Sequence, residues 1–266
     1  MEIYSDKKKI SKRRRAFRIK IYFLFSLFAL LLLGIFYSAA YSSMFKIEDI
    51  LIENNKVLTN DEILIGLKQE VLGTFFGGQA GFDNLLAWPS GHVKISDPAV
   101  IDVNIEKEWL SRTIKVEVNE RGRFAIWCTS KATNCYWIDR QGFVFGDAPV
   151  TEGSLVFTVF DMQDSSLFLG SRVEEDRFVG NLISVLENFY KTGFEVKKIT
   201  FDKELEEIHI DTIDGPLFRF SVRFDSSKNI DPIKSLNLNE VEYVNLNVSD
   251  KRIDLCYKKD KCVLTP

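Results

Sequence analysis

The sequence has little histidine and lacks the short motifs that mark common enzyme sites. It contains only His92 and His209, with no Gly-x-Ser-x-Gly, Ser-x-x-Lys or His-Glu-x-x-His arrangement. The glycine-rich stretch 73–84 has neither a Gly-x-Gly-x-x-Gly spacing nor a Lys-Ser/Thr pair, which argues against a phosphate loop. We therefore predict that the chain is not an enzyme, with no catalytic residue, no metal site, no cofactor and no small-molecule substrate. A membrane-anchored envelope enzyme stays open as an alternative that requires a carboxylate pair without a motif.

Basic residues are scarce relative to acidic ones everywhere except at the N-terminus. Residues 1–20 carry nine basic and two acidic side chains, a net charge of +7. Since the whole chain has a net charge of −3, residues 21–266 together carry −10. A region that acidic is a poor partner for nucleic acid, so we predict no nucleic-acid binding.

The basic tail is followed by a long run without charge, from Ile21 to Phe45. A helix of that length spans roughly 37 Å, enough to cross a hydrocarbon core of about 30 Å. We predict a cytoplasmic tail at 1–20, a transmembrane helix at 21–44 and an extracytoplasmic remainder, because basic residues stay on the cytoplasmic side. A cleaved signal peptide is the alternative, with Ser38-Ala39-Ala40 as small residues at a cleavage site.

The four cysteines form two close pairs, both in the extracytoplasmic part, where disulfides persist. Neither pair has the Cys-x-x-Cys spacing of thiol oxidoreductases, and zinc sites generally use closer spacing. Cys128 ends one predicted strand and Cys135 begins the next, which places them opposite each other. We predict the disulfides Cys128–Cys135 and Cys256–Cys262 as structural staples; free thiols are the alternative.

Hydrophobic periodicity predicts an α+β fold in two domains after the membrane helix. Residues 45–121 read as β-α-β-β: a strand at 45–53, a helix opened by a capping box at 59–62, and strands at 99–109 and 113–121. The stretch 73–84 reads as irregular, so a three-stranded sheet is expected.

Residues 122–266 read as a β-rich α+β domain with one long helix at 173–191. That helix carries an apolar face of Phe178, Leu182, Val185, Leu186 and Phe189. The predicted strands are 124–128, 135–139, 142–146, 155–160, 196–201, 206–211, 217–224, 242–248 and 252–258, with a short helix near 232–238.

This order of elements, together with several local motifs, resembles the FtsQ/DivIB family of bacterial cell-division proteins. The opening FKIEDILIENNKVLTNDEI is similar to the start of that family's POTRA domain. The run from Pro98 to Trp127 resembles the family's central pattern, WIDRQGFVF its next hairpin, and EYVNLNV its terminal strand. Leu110, Gly122-Arg123, Asn245 and Asn247 depart from the family pattern.

The resemblance implies a scaffold of the divisome in the cytoplasmic membrane at the division septum. It implies two small single-span partners, FtsB/DivIC-like and FtsL-like proteins, and a link to septal wall synthesis. The partner strand would add to the edge formed by the C-terminal strands. The candidate partner-binding residues are Tyr243, Leu246, Val248, Leu255 and Tyr257. The alternative is a POTRA-type factor for outer-membrane assembly or secretion.

Overall fold

The computed structural model describes residues 3–129, 134–151, 156–163, 167–225, 228, 230–233, 236–246 and 253–258, with side chains described from residue 17 onward. The chain forms two compact units, Met1–Glu120 and Arg121–Pro266. Helix α1 (Ile3–Tyr41) contains the apolar segment Phe17–Tyr41, whose mean hydropathy is 2.4. Among the described residues it is the one helix long and apolar enough to cross a membrane.

The first unit continues with helices on a small sheet. Its elements are β1 (Asp49–Glu53), α2 (Asn60–Gly73), α3 (Phe75–Ala80), β2 (Gly91–Val93), β3 (Val100–Glu108) and β4 (Thr113–Glu120). The strand order is β1-β4-β3-β2, with β1 parallel to β4 and the other pairs antiparallel. The sheet therefore has four strands and not the expected three, because three residues at 91–93 pair with β3.

Helix α2 begins where the capping box predicts. The Thr59 hydroxyl accepts from the Glu62 backbone N–H, and the Glu62 carboxylate accepts from the Thr59 N–H at 2.8 Å. These bonds satisfy two of the free donors at the helix start. The Glu62 carboxylate accepts from both the backbone N–H and the hydroxyl of Thr59, and these two bonds hold the pKa of Glu62 below its usual value. From this start the helix buries Ile63, Leu67 and Val71 against the sheet.

The glycine-rich stretch 73–84 was expected to be irregular, but it contains the short helix α3. Thr74 ends α2 and caps α3, since its hydroxyl accepts from the Gly77 N–H at 3.0 Å. Gly77 is buried, and a Cβ there would lie 2.0 Å from the Val71 carbonyl oxygen. Glycine at this position permits the close approach of the two helices.

Replacing Gly77 with alanine should lower the free energy of unfolding of the first unit by roughly 1–3 kcal/mol, because the added methyl group overpacks the α2–α3 junction. Gly78→Ala is the matched control, since its Cβ would sit 3.4 Å from the Leu72 carbonyl oxygen. We expect that change to be neutral or to stabilise by up to about 1 kcal/mol. Denaturant unfolding of the detergent-solubilised full chain measures both; equal losses would contradict the packing argument.

The second unit is built on one long sheet. Its elements are β5 (Ala125–Thr129), β6 (Cys135–Ile138), β7 (Val144–Asp147), β8 (Phe157–Asp161), α4 (Asp176–Tyr190), β9 (Val196–Asp202), β10 (Glu207–Thr212), β11 (Leu217–Ser221), α5 (Ile230–Ile233), β12 (Val241–Leu246) and β13 (Asp254–Tyr257). Over the described residues the strand order is β13-β12-β11-β10-β9-β8-β5-β6-β7. The pairs β5–β8, β8–β9 and β11–β12 are parallel, and the others are antiparallel.

Helix α4 packs its apolar face against one side of this sheet. All five residues of the predicted face are buried, and Val179 and Ile183 widen it. The helix contacts two aromatic side chains of β11: the ring of Phe189 lies 5.0 Å from that of Phe218 and 5.9 Å from that of Phe220. The expected amphipathic helix is thus confirmed, and the core of the unit lies on this side of the sheet.

The hairpin of β5 and β6 carries a disulfide between Cys128 and Cys135. These residues are directly opposite each other in the ladder, with their Cα atoms 4.1 Å apart. Both are buried together with Ile126 on the side of the sheet away from α4. The disulfide is therefore part of a second, smaller apolar cluster on that side of the sheet.

Replacing Cys128 and Cys135 together with alanine should lower the free energy of unfolding of the second unit by about 2.5 kcal/mol, the loop-closure value for so short a loop. Denaturant unfolding of the full chain checks the magnitude. Alkylation of the native protein without reductant should add no label at either position. Rapid labelling there would contradict the staple.

Candidate partner-binding edge

The two edges of the long sheet differ in how their backbone groups are used. At the β7 edge, the Val144 N–H donates to the Ser171 carbonyl at 2.9 Å, and the Gly170 N–H donates to the Val144 carbonyl at 2.8 Å. The segment Gly170–Arg172 therefore covers the start of that edge, with a further bridge from Phe143 to Arg172. At the other end, β13 has no further strand beside it within the described part of the chain.

The backbone of β13 has a defined inner and outer side. The Lys258 N–H donates to the Glu240 carbonyl at 2.9 Å, so Lys258 faces β12. Because alternate residues of a strand direct their backbone groups to opposite sides, the N–H and C=O groups of Leu255 and Tyr257 face away from β12. These two residues present the groups that an added strand would pair with.

The structure places the five candidate residues in different environments. Tyr257 is 43% exposed at the end of β13, whereas Leu255 is partly buried against the α4-side core. Tyr243 is half-buried opposite Cys256. Leu246 is fully buried, so its side chain supports the fold and is not accessible to a docking strand. Val248 lies outside the described residues.

The second predicted disulfide falls partly outside the described chain. Cys256 is buried and is disulfide-bonded, while Cys262 is not among the described residues. Cys256 lies in the middle of β13, opposite Tyr243 of β12, and its side chain is buried.

A row of polar residues crosses the sheet and ends at β13. The strand registers align Thr200 with His209, His209 with Arg219, Arg219 with Asn245, and Asn245 with Asp254. We call these five residues the polar row. They lie on the side of the sheet opposite α4, because their strand neighbours Ile208, Phe218 and Val244 are in the α4-side core. The row joins the interior of the unit to the candidate edge.

An ion-pair network holds the centre of the polar row. Arg219 donates through Nη2 to Oε2 of Glu207 at 2.8 Å, and Nε2 of His209 lies 3.0 Å from the same oxygen. Glu207 and Arg219 are both buried, so each charge depends on the other for compensation. The sequence places His209 on an alternating strand but does not identify a partner for it. The signal for one lies in the alternation of Glu207, His209 and Asp211 along one face of β10.

The pKa of Glu207 reflects two opposed effects. Burial raises the pKa of the carboxyl, but the hydrogen bond from His209 and the nearby charge and hydrogen bond of Arg219 together outweigh burial. The pKa therefore lies below its ordinary value. Ionised Glu207 stabilises the folded unit above the pKa of an unfolded glutamate, and this stabilisation is lost as the pH falls through the lower, folded-state value.

Within the described residues, no three His, Cys, Asp or Glu side chains are grouped so that they could hold a metal ion. The chain matches no family model, and no curated protein matches it.

We expect Glu207→Gln to destabilise the second unit by about 1–3 kcal/mol at pH 7, since a charged acceptor is replaced by a neutral one beside a buried arginine. The difference from the parent chain should begin to shrink as the pH falls below the ordinary glutamate pKa and should continue to shrink as the pH falls through the lower, folded-state pKa, where the parent loses its own Glu207 charge. Denaturant unfolding between pH 3 and pH 7 follows the effect. Glu204→Gln, at an exposed position of the preceding turn, should change little at any pH. A pH-independent gap for Glu207→Gln would contradict the assignment.

Proposed function

We propose that this chain is a membrane-anchored, non-enzymatic scaffold of the FtsQ/DivIB type. In this proposal it binds FtsB/DivIC-like and FtsL-like proteins outside the cytoplasmic membrane and connects them to septal wall synthesis. The observation that carries the proposal is the difference between the sheet edges: the start of β7 is covered by Gly170–Arg172, whereas β13, with no strand beside it in the described part of the chain, directs the backbone groups of Leu255 and Tyr257 outward. A strand of a partner can add there.

The first unit supports the same proposal. The parallel pairing of β1 with β4, the antiparallel β3 between β4 and β2, and helices on the sheet agree with a POTRA-like domain. In this proposal the short helix α3 corresponds to the second helix of a POTRA domain. On this basis we assign residues 45–121 to a POTRA-like domain and residues 122–266 to the partner-binding domain.

The membrane arrangement follows from the charges and the disulfide. The basic side chains of residues 1–20 precede the apolar segment Phe17–Tyr41 almost entirely, which favours a cytoplasmic N-terminus. The Cys128–Cys135 disulfide favours an oxidising compartment for the second unit. We therefore propose that the chain lies in the cytoplasmic membrane as a single-span protein, with residues 45–266 outside and the working site at the division septum.

The test uses two substitutions at one position of β13. Tyr257→Pro removes the outward backbone N–H. Tyr257→Thr removes the aromatic ring but retains the N–H, and threonine is itself favoured in strands. Because the N–H of Tyr257 faces away from β12, neither change breaks the ladder inside the unit. Comparison of the two variants therefore distinguishes docking through backbone hydrogen bonds from docking through the Tyr257 side chain.

A photoreactive amino acid at exposed Lys258 reports docking in native membranes. We expect it to crosslink to a single-span membrane protein with an extracytoplasmic coiled coil in the parent chain and in Tyr257→Thr, and to lose most of that product in Tyr257→Pro. Equal crosslinking in both variants would exclude docking by strand addition. Absence of such a product from all three chains would exclude this edge as the docking site.

A further inference from the structure

The end of the anchor helix α1 is joined to the rest of the first unit by several hydrogen bonds. The side-chain amide of Asn84 donates to the carbonyls of Ala39 and Ala40 at 2.9 and 3.0 Å, and Asn84 itself is buried. These carbonyls belong to the last turn of α1, where a helix leaves acceptors unpaired. The Leu85 N–H donates to the Phe45 carbonyl at 2.7 Å, so the chain after the helix is held as well.

Helix α3 contacts the anchor within its apolar segment. The rings of Phe76 and Phe36 meet edge to face with centroids 5.7 Å apart. Phe36 precedes Tyr41, the last residue of the apolar segment, by five residues, or about 7.5 Å along the helix axis. Side chains on a helix lean toward its N-terminus, so the Phe36 ring lies deeper still. If α1 spans the membrane, α3 lies at the level of the membrane interface.

The amino-acid composition of α3 and its flanking residues is compatible with a location at the membrane interface. No charged residue occurs from Val71 to Phe82, although 27% of the whole chain is charged. Phe75, the first residue of α3, is 82% exposed. A large exposed aromatic ring in an uncharged stretch is unfavourable in water but favourable among lipid headgroups.

The turn between β3 and β4 carries a second apolar projection at the same end of the unit. Trp109 is 54% exposed and Leu110 is fully exposed. Arg112 fixes this turn beside the anchor: its Nη1 donates to the Ser43 carbonyl at 3.0 Å, and its own carbonyl accepts from the Glu48 N–H at 2.9 Å. Ser43 follows Tyr41 by two residues, and headgroup layers extend roughly 5–8 Å beyond each side of the hydrocarbon core. The turn therefore lies within reach of the headgroups.

From these contacts we propose that Phe75, Trp109 and Leu110 form a juxtamembrane surface that inserts into the lipid headgroup layer beside the anchor. This inference rests on the membrane anchoring in the proposed function, and it does not depend on the partner. Lys107 lies 5.7 Å from the Trp109 ring centre, and Arg112 is next to the turn, so cations flank the apolar groups as they do at membrane interfaces. Two projections beside one helix hold the first unit in a fixed orientation on the membrane.

The test measures the depth of a nitroxide label in the full chain, reconstituted in bilayers of phosphatidylethanolamine and phosphatidylglycerol. Labels are attached to Phe75→Cys and Leu110→Cys, two exposed positions that tolerate substitution; the described part of the chain has no free cysteine to compete. Collision rates are compared for oxygen, which concentrates in lipid, and a water-soluble nickel chelate. We expect the oxygen-to-nickel ratio at both sites to exceed severalfold that at Val57→Cys.

Val57 is the matched control because it is exposed at the far end of the same unit. Its backbone N–H donates to Glu120 at the end of β4, about 23 Å along the strand from Thr113. Ratios at positions 75 and 110 that equal the ratio at position 57 would overturn the juxtamembrane surface. Protection of either site from both reagents would also overturn it, since protein and not lipid would then cover the surface.

A label at Ile35→Cys, inside the apolar segment, separates this inference from the anchoring itself. A lipid-like ratio at position 35 with water-like ratios at 75 and 110 would reject the juxtamembrane surface and leave the anchor intact. A water-like ratio at position 35 would reject the anchor, and the surface with it.

Discussion

Backbone N–H and C=O groups that leave water need hydrogen-bond partners, and this requirement governs each part of the molecule. A helix satisfies it along an apolar span, but the last carbonyls of that helix remain unpaired. Here the amide of Asn84 pairs with two of them, which ties α1 to the rest of the first unit. In the long sheet, Gly170 and Ser171 pair with the backbone groups of Val144 at the start of β7. Among the described residues no strand lies beside the outward side of β13, and the proposal assigns that side to a partner strand.

The two sides of the long sheet are organised by different forces. On one side, α4 and the aromatic residues of β11 bury a large apolar surface, which supplies most of the stability. On the other side, Glu207 and Arg219 are buried as an ion pair, an arrangement that contributes less net stability than apolar packing of the same volume. Such a pair does restrict the pairing of β10 with β11, because a slip of either strand by one residue would move its charge to the apolar side of the sheet and leave the other charge without its partner.

Local patterns in the sequence predict the local structure well. The capping box at Thr59, the apolar face of α4 and the cysteines facing each other across β5 and β6 depend on neighbours a few residues apart. Helix α3 was missed because its glycines resemble a loop, and the contacts that form it come from Val71 and from Phe36 in the anchor. The polar row was also missed because it depends on contacts between residues distant in the sequence: its pairings join residues on five strands. Leu246 shows a further limit of prediction from sequence. The alternation along EYVNLNV divides the strand into two faces, but it does not show which face is buried, and Leu246 lies on a buried one.

The short length of β13 has a consequence for how a partner could bind. An edge of four residues offers few backbone hydrogen bonds, and each contributes only about 0.5–1.5 kcal/mol net. Shortness, together with the bulge between Val241 and Tyr243 on β12, also limits unwanted pairing between copies. A docking strand would therefore be weak as a free peptide. Attachment of both proteins to one membrane changes this, because tethering makes the second contact effectively intramolecular, with effective concentrations that reach the millimolar range. In the proposed scaffold the anchor is thus part of the binding mechanism, since it allows a short edge to be both selective and occupied.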